Sequence, residues 1–224
     1  MALEGYFAEG NKIAILGSSV YAPEFATDID FMLFTKGGRN TLQCTPQFSR
    51  EISEFLQSKT GSEDLRPHLI GPRDSVEDKP YNLEKLPKED LYLDGCLLTG
   101  RFFPDDSFIK THYESALGKD YLPFAWKRFA EHVMQFPIRD LRENKEKEDF
   151  HLLVHATKQL ADNGFGELTG LIGRAEERYK ILERQRSKGM DSFEYNSMLR
   201  LAMSDLYFGV CAFLPDPAKK HNSN

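Results

Sequence analysis

The chain has 224 residues, of which 40% are hydrophobic, 29% charged and 12% aromatic, and this composition excludes a disordered or low-complexity protein. The length is enough for one large or two small domains with a buried core. A formal net charge of −6 argues against a protein that coats nucleic acid nonspecifically, although a local basic patch remains compatible with it.

The first ten residues have neither the basic nor the apolar region of a secretory signal. The apolar stretch at 208–214 is far shorter than the ~20 residues that cross a bilayer. Three widely spaced cysteines, Cys44, Cys96 and Cys211, form neither a disulfide framework nor a zinc-binding pattern. We therefore expect a cytoplasmic protein with reduced thiols and no membrane partner.

Short apolar runs between glycine and proline predict β-strands in the first half of the chain, although their length alone does not exclude buried helices. These runs cover residues 12–16, 28–34, 65–70 and 94–103. Residues 45–59 instead place apolar side chains on one face of a helix, with Gly61 just past its end.

From about Tyr121 onward, apolar residues recur at helical spacing and predict a set of about four helices. The four segments cover residues 123–136, 148–164, 167–189 and 192–215. The charges of residues 139–149 alternate in sign, which indicates a solvated helix face or a linker and not a binding site.

The charge balance changes where the hydrophobic period changes. Residues 1–119 contain 13 basic and 19 acidic residues, whereas residues 120–224 contain 16 of each. We predict an α+β fold in which residues 1–119 form a mixed sheet with flanking helices and residues 120–216 form a helical bundle. Residues 217–224 are predicted to be a flexible tail.

The candidate site lies between the first two predicted strands. Gly17 and Ser18 end the first strand, and after nine further residues Asp28 and Asp30 open the second. Side chains alternate along a strand, so both carboxylates point the same way, ~6–7 Å apart. Their mutual repulsion at the head of an apolar strand is costly unless a cation lies between them, and Mg²⁺ suits such a pair. Gly17 allows the backbone to approach a phosphate, and Ser18 offers a hydroxyl donor.

This pattern resembles the signature of the DNA polymerase β-like nucleotidyltransferase superfamily, in which an apolar strand, Gly-Ser and a strand headed by Asp-x-Asp follow one another. Residues 94–101, DGCLLTGR, are similar to the closing strand of small bacterial and archaeal members. The resemblance covers roughly residues 10–103. It implies an enzyme that transfers a nucleoside monophosphate from a nucleoside triphosphate to an acceptor hydroxyl, using two metal ions. It further implies that Asp28 and Asp30 bind two Mg²⁺ ions, and that Gly17 and Ser18 bind the β- and γ-phosphates.

The sequence departs from the superfamily pattern in two places. Residues 19–27 contain no basic residue, so Arg66, Arg101 or a cation of the helical half would have to offset the charge of the triphosphate. The resemblance implies a third carboxylate that acts as metal ligand and base, and Asp64 matches it best. On an extended chain Asp64, Arg66 and His68 share a face, so His68 is an alternative, and a site without a third acid is another. Proline at position 67 complicates this strand, because it cannot donate to a ladder.

The expected function is transfer of a nucleotide, with AMP as the expected one, to a hydroxyl of a small molecule, an RNA or a protein. The alternative is a non-catalytic module that keeps the fold, for instance in a regulatory or toxin–antitoxin assembly. The weak third acid and the missing early basic residue favour this alternative. The sequence identifies neither the acceptor nor the oligomeric state.

Overall fold

The computed structural model describes residues 2–36, 45–71, 80–87, 90–105, 121–135 and 145–214. The chain divides into two compact units, Met1–Lys119 and Asp120–Asn224. The predicted tail at 217–224 and residues 139–144 of the charged segment lie outside the described residues.

Within the described residues of the first unit, five strands form one mixed sheet in the order β3-β2-β1-β5. The strands are β1 Lys12–Leu16, β2 Asp28–Thr35, β3 Arg66–Leu69, β4 Tyr81–Asn82 and β5 Arg101–Phe103. Strand β1 is antiparallel to β2 and β5, whereas β3 and β4 run parallel to β2 along its other edge. The first three predicted strands and the α+β fold class are thereby confirmed.

Helices α1 (Ala2–Ala8) and α3 (Pro46–Thr60) cover one face of the sheet; the short helix α2 (Ser18–Tyr21) follows β1. Helix α3 begins after Thr45, whose hydroxyl accepts the amide hydrogen of Phe48, and ends at Gly61 in a left-handed conformation. The core under these helices combines alternate residues of β1 and β2 with the apolar stripe of α3. Its buried members are Tyr6, Ile13, Ile15, Ile29, Phe31, Leu33, Phe48, Ile52 and Leu56.

The predicted strand over 94–103 is wrong for its first six residues, which belong to helix α4 (Leu91–Thr99); β5 begins only at Arg101. Asp90 caps this helix, because its Oδ1 atom accepts the amide hydrogens of Tyr92 and Leu93. Residues 93–99 are all buried, so the run shows no amphipathic period that would identify a helix. The similarity of residues 94–101 to a closing strand therefore does not extend to the secondary structure before Arg101.

The described part of the second unit consists of four α-helices and one turn of 3-10 helix at Gly166–Leu168. The helices are α5 Tyr121–Gln135, α6 Lys145–Asp162, α7 Thr169–Arg186 and α8 Ser192–Phe213. Trp126 lies in their core, where its indole Nε1 donates to the hydroxyl of Thr157 and its ring stacks on Tyr207. These elements confirm the four predicted helices.

The last five residues of the charged segment, from Lys145 onward, form the first turn of α6. Asp149 is 5% exposed there and forms an ion pair with Lys145, so a fully solvated face is wrong at this position. Burial raises the pKa of Asp149, although Lys145 opposes the shift. Among the described helices of both units, none is both long enough and apolar enough to cross a membrane.

Candidate metal centre

The bend after β1 lies against the carboxylate of Asp30. The antiparallel register places Leu16 opposite Asp30, so Gly17 follows directly at the end of the paired region. Gly17 has φ 78° and ψ −172°, a backbone region that is essentially restricted to glycine. A Cβ atom at this position would lie 2.6 Å from Asp30 Oδ2, so a larger residue would displace the carboxylate. The bend and the carboxylate of Asp30 are thus in direct contact.

Ser18 begins α2 immediately after this bend and is buried. The next residue, Ser19, donates its hydroxyl to the carbonyl oxygen of Leu16 at 3.2 Å, which ties the start of α2 to the end of β1. The segment between the bend and the acidic pair is completed by a short 3-10 helix, Pro23–Phe25.

Strand β3 adds a histidine to the acidic pair. Its parallel register with β2 places Arg66 beside Asp28 and His68 beside Asp30. Neighbouring residues in register point to the same side of a sheet, so these four side chains share one face. His68 Nδ1 lies 3.0 Å from Asp30 Oδ1.

Asp28, Asp30 and His68 form a group with the donor atoms of a metal site. One ligand atom from each residue lies within 4.8 Å of the other two. The side chain of His68 is 64% exposed and that of Asp30 26% exposed, so an ion or a charged ligand can reach the group from solvent. Divalent cations bind carboxylate oxygen and imidazole nitrogen atoms at ~2.0–2.2 Å, and the residues present therefore fit such an ion.

Asp64 is not a member of this group. It lies in an exposed turn between α3 and β3, which begins only at Arg66. The side-chain amide of Gln57 donates to the carbonyl oxygens of Glu63 and Leu65, and these bonds hold the turn against α3. The prediction for Asp64 requires an extended chain at residue 64, whereas the extended segment starts two residues later, at Arg66.

Arg66 and Arg101, the two residues predicted to offset the charge of the triphosphate, lie on opposite faces of the sheet. Arg101 is paired with Ile15, whose side chain belongs to the core under α1 and α3. Its guanidinium donates to the carbonyl oxygen of Lys59 at 3.3 Å and lies 5.7 Å from the centre of the Phe103 ring. Arg66 is exposed and lies on the face of the acidic pair. Of the two, only Arg66 is placed to meet an anion bound there.

His68 is the alternative to Asp64 in the sequence, and one sequence signal indicates it. Alternation along residues 65–70 puts Arg66 and His68 on one face, but only the pairing of β3 with β2 shows that this face also carries Asp28 and Asp30.

No protein-family model matches the chain, and neither the curated proteins nor the solved structures include a significant match. Membership of the nucleotidyltransferase superfamily therefore stays a prediction from the residues.

Proposed function

We propose that the protein is a divalent-cation-dependent nucleotidyltransferase that transfers a nucleoside monophosphate, with AMP as the expected one, from a nucleoside triphosphate to an acceptor hydroxyl. The observation that carries the proposal is the contact between Gly17 and the carboxylate of Asp30, on the face that also holds Asp28. The Asp30 carboxylate fills the space that a side chain at Gly17 would take, so a phosphate bound at the backbone of this bend would lie beside that carboxylate. Two carboxylates would repel that phosphate, so binding there requires a cation.

The proposed reaction is in-line attack of the acceptor oxygen on the α-phosphorus. The new oxygen–phosphorus bond forms while the bond to the β-phosphate oxygen breaks, pyrophosphate leaves, and the hydroxyl proton passes to water. Divalent ions would lower the pKa of the acceptor hydroxyl and offset charge on the triphosphate, and the superfamily resemblance implies two Mg²⁺ ions in this role.

The residues of the chain act mainly by position and charge, as is general in phosphoryl transfer. Asp28 and Asp30 would hold the cation, and Gly17 and Ser18 would border the β- and γ-phosphates. Arg66 lies on the same face as the carboxylates and would supply the positive charge that residues 19–27 lack.

One observation favours the alternative of a non-catalytic nucleotide-binding module. The described residues bring two carboxylates and a histidine together in place of three carboxylates. A module of this kind would bind a nucleoside triphosphate with a divalent cation and leave it intact.

Pyrophosphate release distinguishes the two candidates. The full chain is incubated with Mg²⁺ or Mn²⁺, each of the four ribonucleoside triphosphates labelled at the γ-phosphate, which leaves with pyrophosphate, and small-molecule, RNA and protein acceptors. We expect pyrophosphate release that falls by about 10²-fold or more in Asp28→Asn and Asp30→Asn, because the charge that holds the cation is lost. Glu54→Gln is the matched control, since it neutralises an exposed carboxylate on α3, on the other side of the sheet.

Thermal unfolding with and without metal–ATP completes the experiment, because a ligand that binds only the native state raises its stability. Stabilisation without turnover on any acceptor would favour the module. Stabilisation that persists after both aspartates are replaced would show that the proposed cation site is wrong.

A further inference from the structure

We propose that Asp28, Asp30 and His68 together bind a first-row transition-metal ion, represented here by Mn²⁺, in preference to Mg²⁺. The proposal rests on the proposed function, because the site is the same, and it specifies both the third ligand and the class of ion. The superfamily resemblance implies Mg²⁺ held by carboxylates, whereas this chain places an imidazole beside them.

The distance between His68 and Asp30 matches that of two ligands on one ion. Adjacent ligands ~2.1 Å from an octahedral ion lie ~3.0 Å apart, and opposite ligands ~4.2 Å apart. His68 Nδ1 and Asp30 Oδ1 are separated by 3.0 Å, and all three ligand atoms lie within 4.8 Å of one another. A small rotation of side chains therefore brings the three atoms into a single coordination shell.

The backbone restricts where these side chains can go. His68 and Asp30 are paired in the parallel register of β3 and β2, and Asp28 is two residues earlier on β2. The Gly17 backbone lies against the second oxygen of Asp30, Oδ2, while Oδ1 faces His68. The carboxylate is thus held with one oxygen directed to the imidazole.

The chemistry of the donor set selects the ion. Mg²⁺ is a hard cation that takes oxygen ligands and retains most of its waters, whereas imidazole nitrogen suits the transition metals. Mn²⁺ accepts both carboxylate oxygen and imidazole nitrogen atoms, and it is the weakest binder of the first-row series, so later metals should bind more tightly. A nitrogen ligand therefore adds affinity for Mn²⁺ that Mg²⁺ does not gain.

The competing role for His68 is purely positional. In that role its Nδ1–H donates to Asp30 and orients the carboxylate, and no ring nitrogen enters the coordination shell. The two roles differ in one observable, which is the presence of nitrogen bound directly to the metal.

The experiment measures metal binding by the full chain without nucleotide or acceptor. Free Mn²⁺ is counted by its electron paramagnetic resonance signal, Mg²⁺ is added as a competitor, and electron spin-echo modulation of the bound Mn²⁺ detects directly coordinated ¹⁴N. We expect a ¹⁴N modulation from one imidazole, and a Kd for Mn²⁺ about tenfold or more below that for Mg²⁺.

Two substitutions at position 68 test the ligand assignment. His68→Asn should abolish the ¹⁴N modulation and weaken Mn²⁺ binding about tenfold, with a smaller change for Mg²⁺. His68→Asp restores a charged oxygen ligand and should reduce the preference for Mn²⁺ over Mg²⁺. The exposure of His68 makes both variants compatible with folding, which circular dichroism checks. His155→Asn, in the helical unit, should retain the modulation.

The proposal is overturned if Mn²⁺ does not bind, if the bound ion shows no ¹⁴N modulation, if the modulation persists in His68→Asn, or if Mg²⁺ binds as tightly as Mn²⁺. These outcomes are independent of catalysis. A chain that binds Mn²⁺ through His68 but transfers no nucleotide contradicts the proposed function alone, and an active chain without bound nitrogen contradicts this inference alone.

Discussion

At the scale of single residues, Gly17 and Asp30 determine each other's position. The spacing of Gly17, Asp28 and Asp30 along the sequence predicts their proximity, because consecutive strands that pair antiparallel bring the end of the first beside the start of the second. The sequence does not predict the position of His68 beside Asp30 in the same way. Its place beside Asp30 depends on the register between strands more than thirty residues apart, and no local pattern determines that register.

Replacing Gly17 with alanine should disturb both the fold and the site. We expect Gly17→Ala to lower the free energy of unfolding of the first unit by about 2–3 kcal/mol, because the backbone conformation disfavours a side chain and the Cβ would overlap Asp30 Oδ2. The affinity for divalent cations should also fall, because the displaced carboxylate belongs to the proposed cation site. Denaturation by urea followed by circular dichroism measures the first effect, and calorimetric titration with Mn²⁺ the second.

Gly61→Ala is the matched control, since Gly61 also has a positive φ but a Cβ there would have no atom within 4 Å. We expect Gly61→Ala to lower the free energy of unfolding by about 1 kcal/mol, because the position is left-handed, and to leave cation binding unchanged. Equal cation affinity in the Gly17→Ala variant and the unchanged protein would mean that the bend does not support the carboxylate.

At the scale of elements, the apolar runs at 12–16 and 28–34 predict strands because turn residues bound them and their length suits a strand. The same reasoning fails at 94–99. Residues 93–99 of that helix are buried on all sides and leave no solvated face, so the helical period is invisible in the sequence. The signal that could have identified it is Asp90, whose carboxylate caps the first turn.

The packing of α6, α7 and α8 depends in part on the charge of Glu183. Burial would raise the pKa of this carboxyl, but hydrogen bonds from Tyr195 and Lys147 prevail and lower it below the ordinary 4.5. A lowered native pKa stabilises the fold above the unfolded-state pKa, and this stabilisation is lost as the pH falls through the native value. Glu183→Gln should therefore be less stable than the unchanged protein at neutral pH, and the difference should shrink as the pH falls through the lowered native pKa of Glu183.

Urea denaturation at several pH values, followed by the fluorescence of Trp126, measures this difference, because the chain has one tryptophan and it lies in the helical unit. Glu177→Gln, at an exposed position of α7, should change stability little at any pH. If Glu183→Gln lowers the free energy of unfolding equally at every pH, packing and not the charge of the carboxylate supplies the stabilisation.

At the scale of the whole molecule, the change of hydrophobic period near residue 119 follows from the different architectures of the two units. A sheet covered by helices requires alternating and fully apolar runs, whereas a bundle requires 3.6-residue periodicity over long segments. Each unit accordingly has its own buried residues: Ile13, Ile29 and Phe31 in the sheet, and Trp126 and Phe150 in the bundle. We therefore predict that the two units fold separately.

Cutting the chain between Lys119 and Asp120 tests this prediction and locates the site. Asp28, Asp30, His68 and Gly17 all belong to the first unit, so fragment 1–119 should fold alone and bind Mn²⁺ with an affinity close to that of the full chain. Fragment 120–224 should unfold cooperatively by Trp126 fluorescence and bind no Mn²⁺ at the same concentration. Circular dichroism establishes that each fragment is folded before binding is compared. A folded first fragment that binds Mn²⁺ much more weakly than the full chain would mean that the helical unit supplies a ligand or orders the strands that carry the carboxylates.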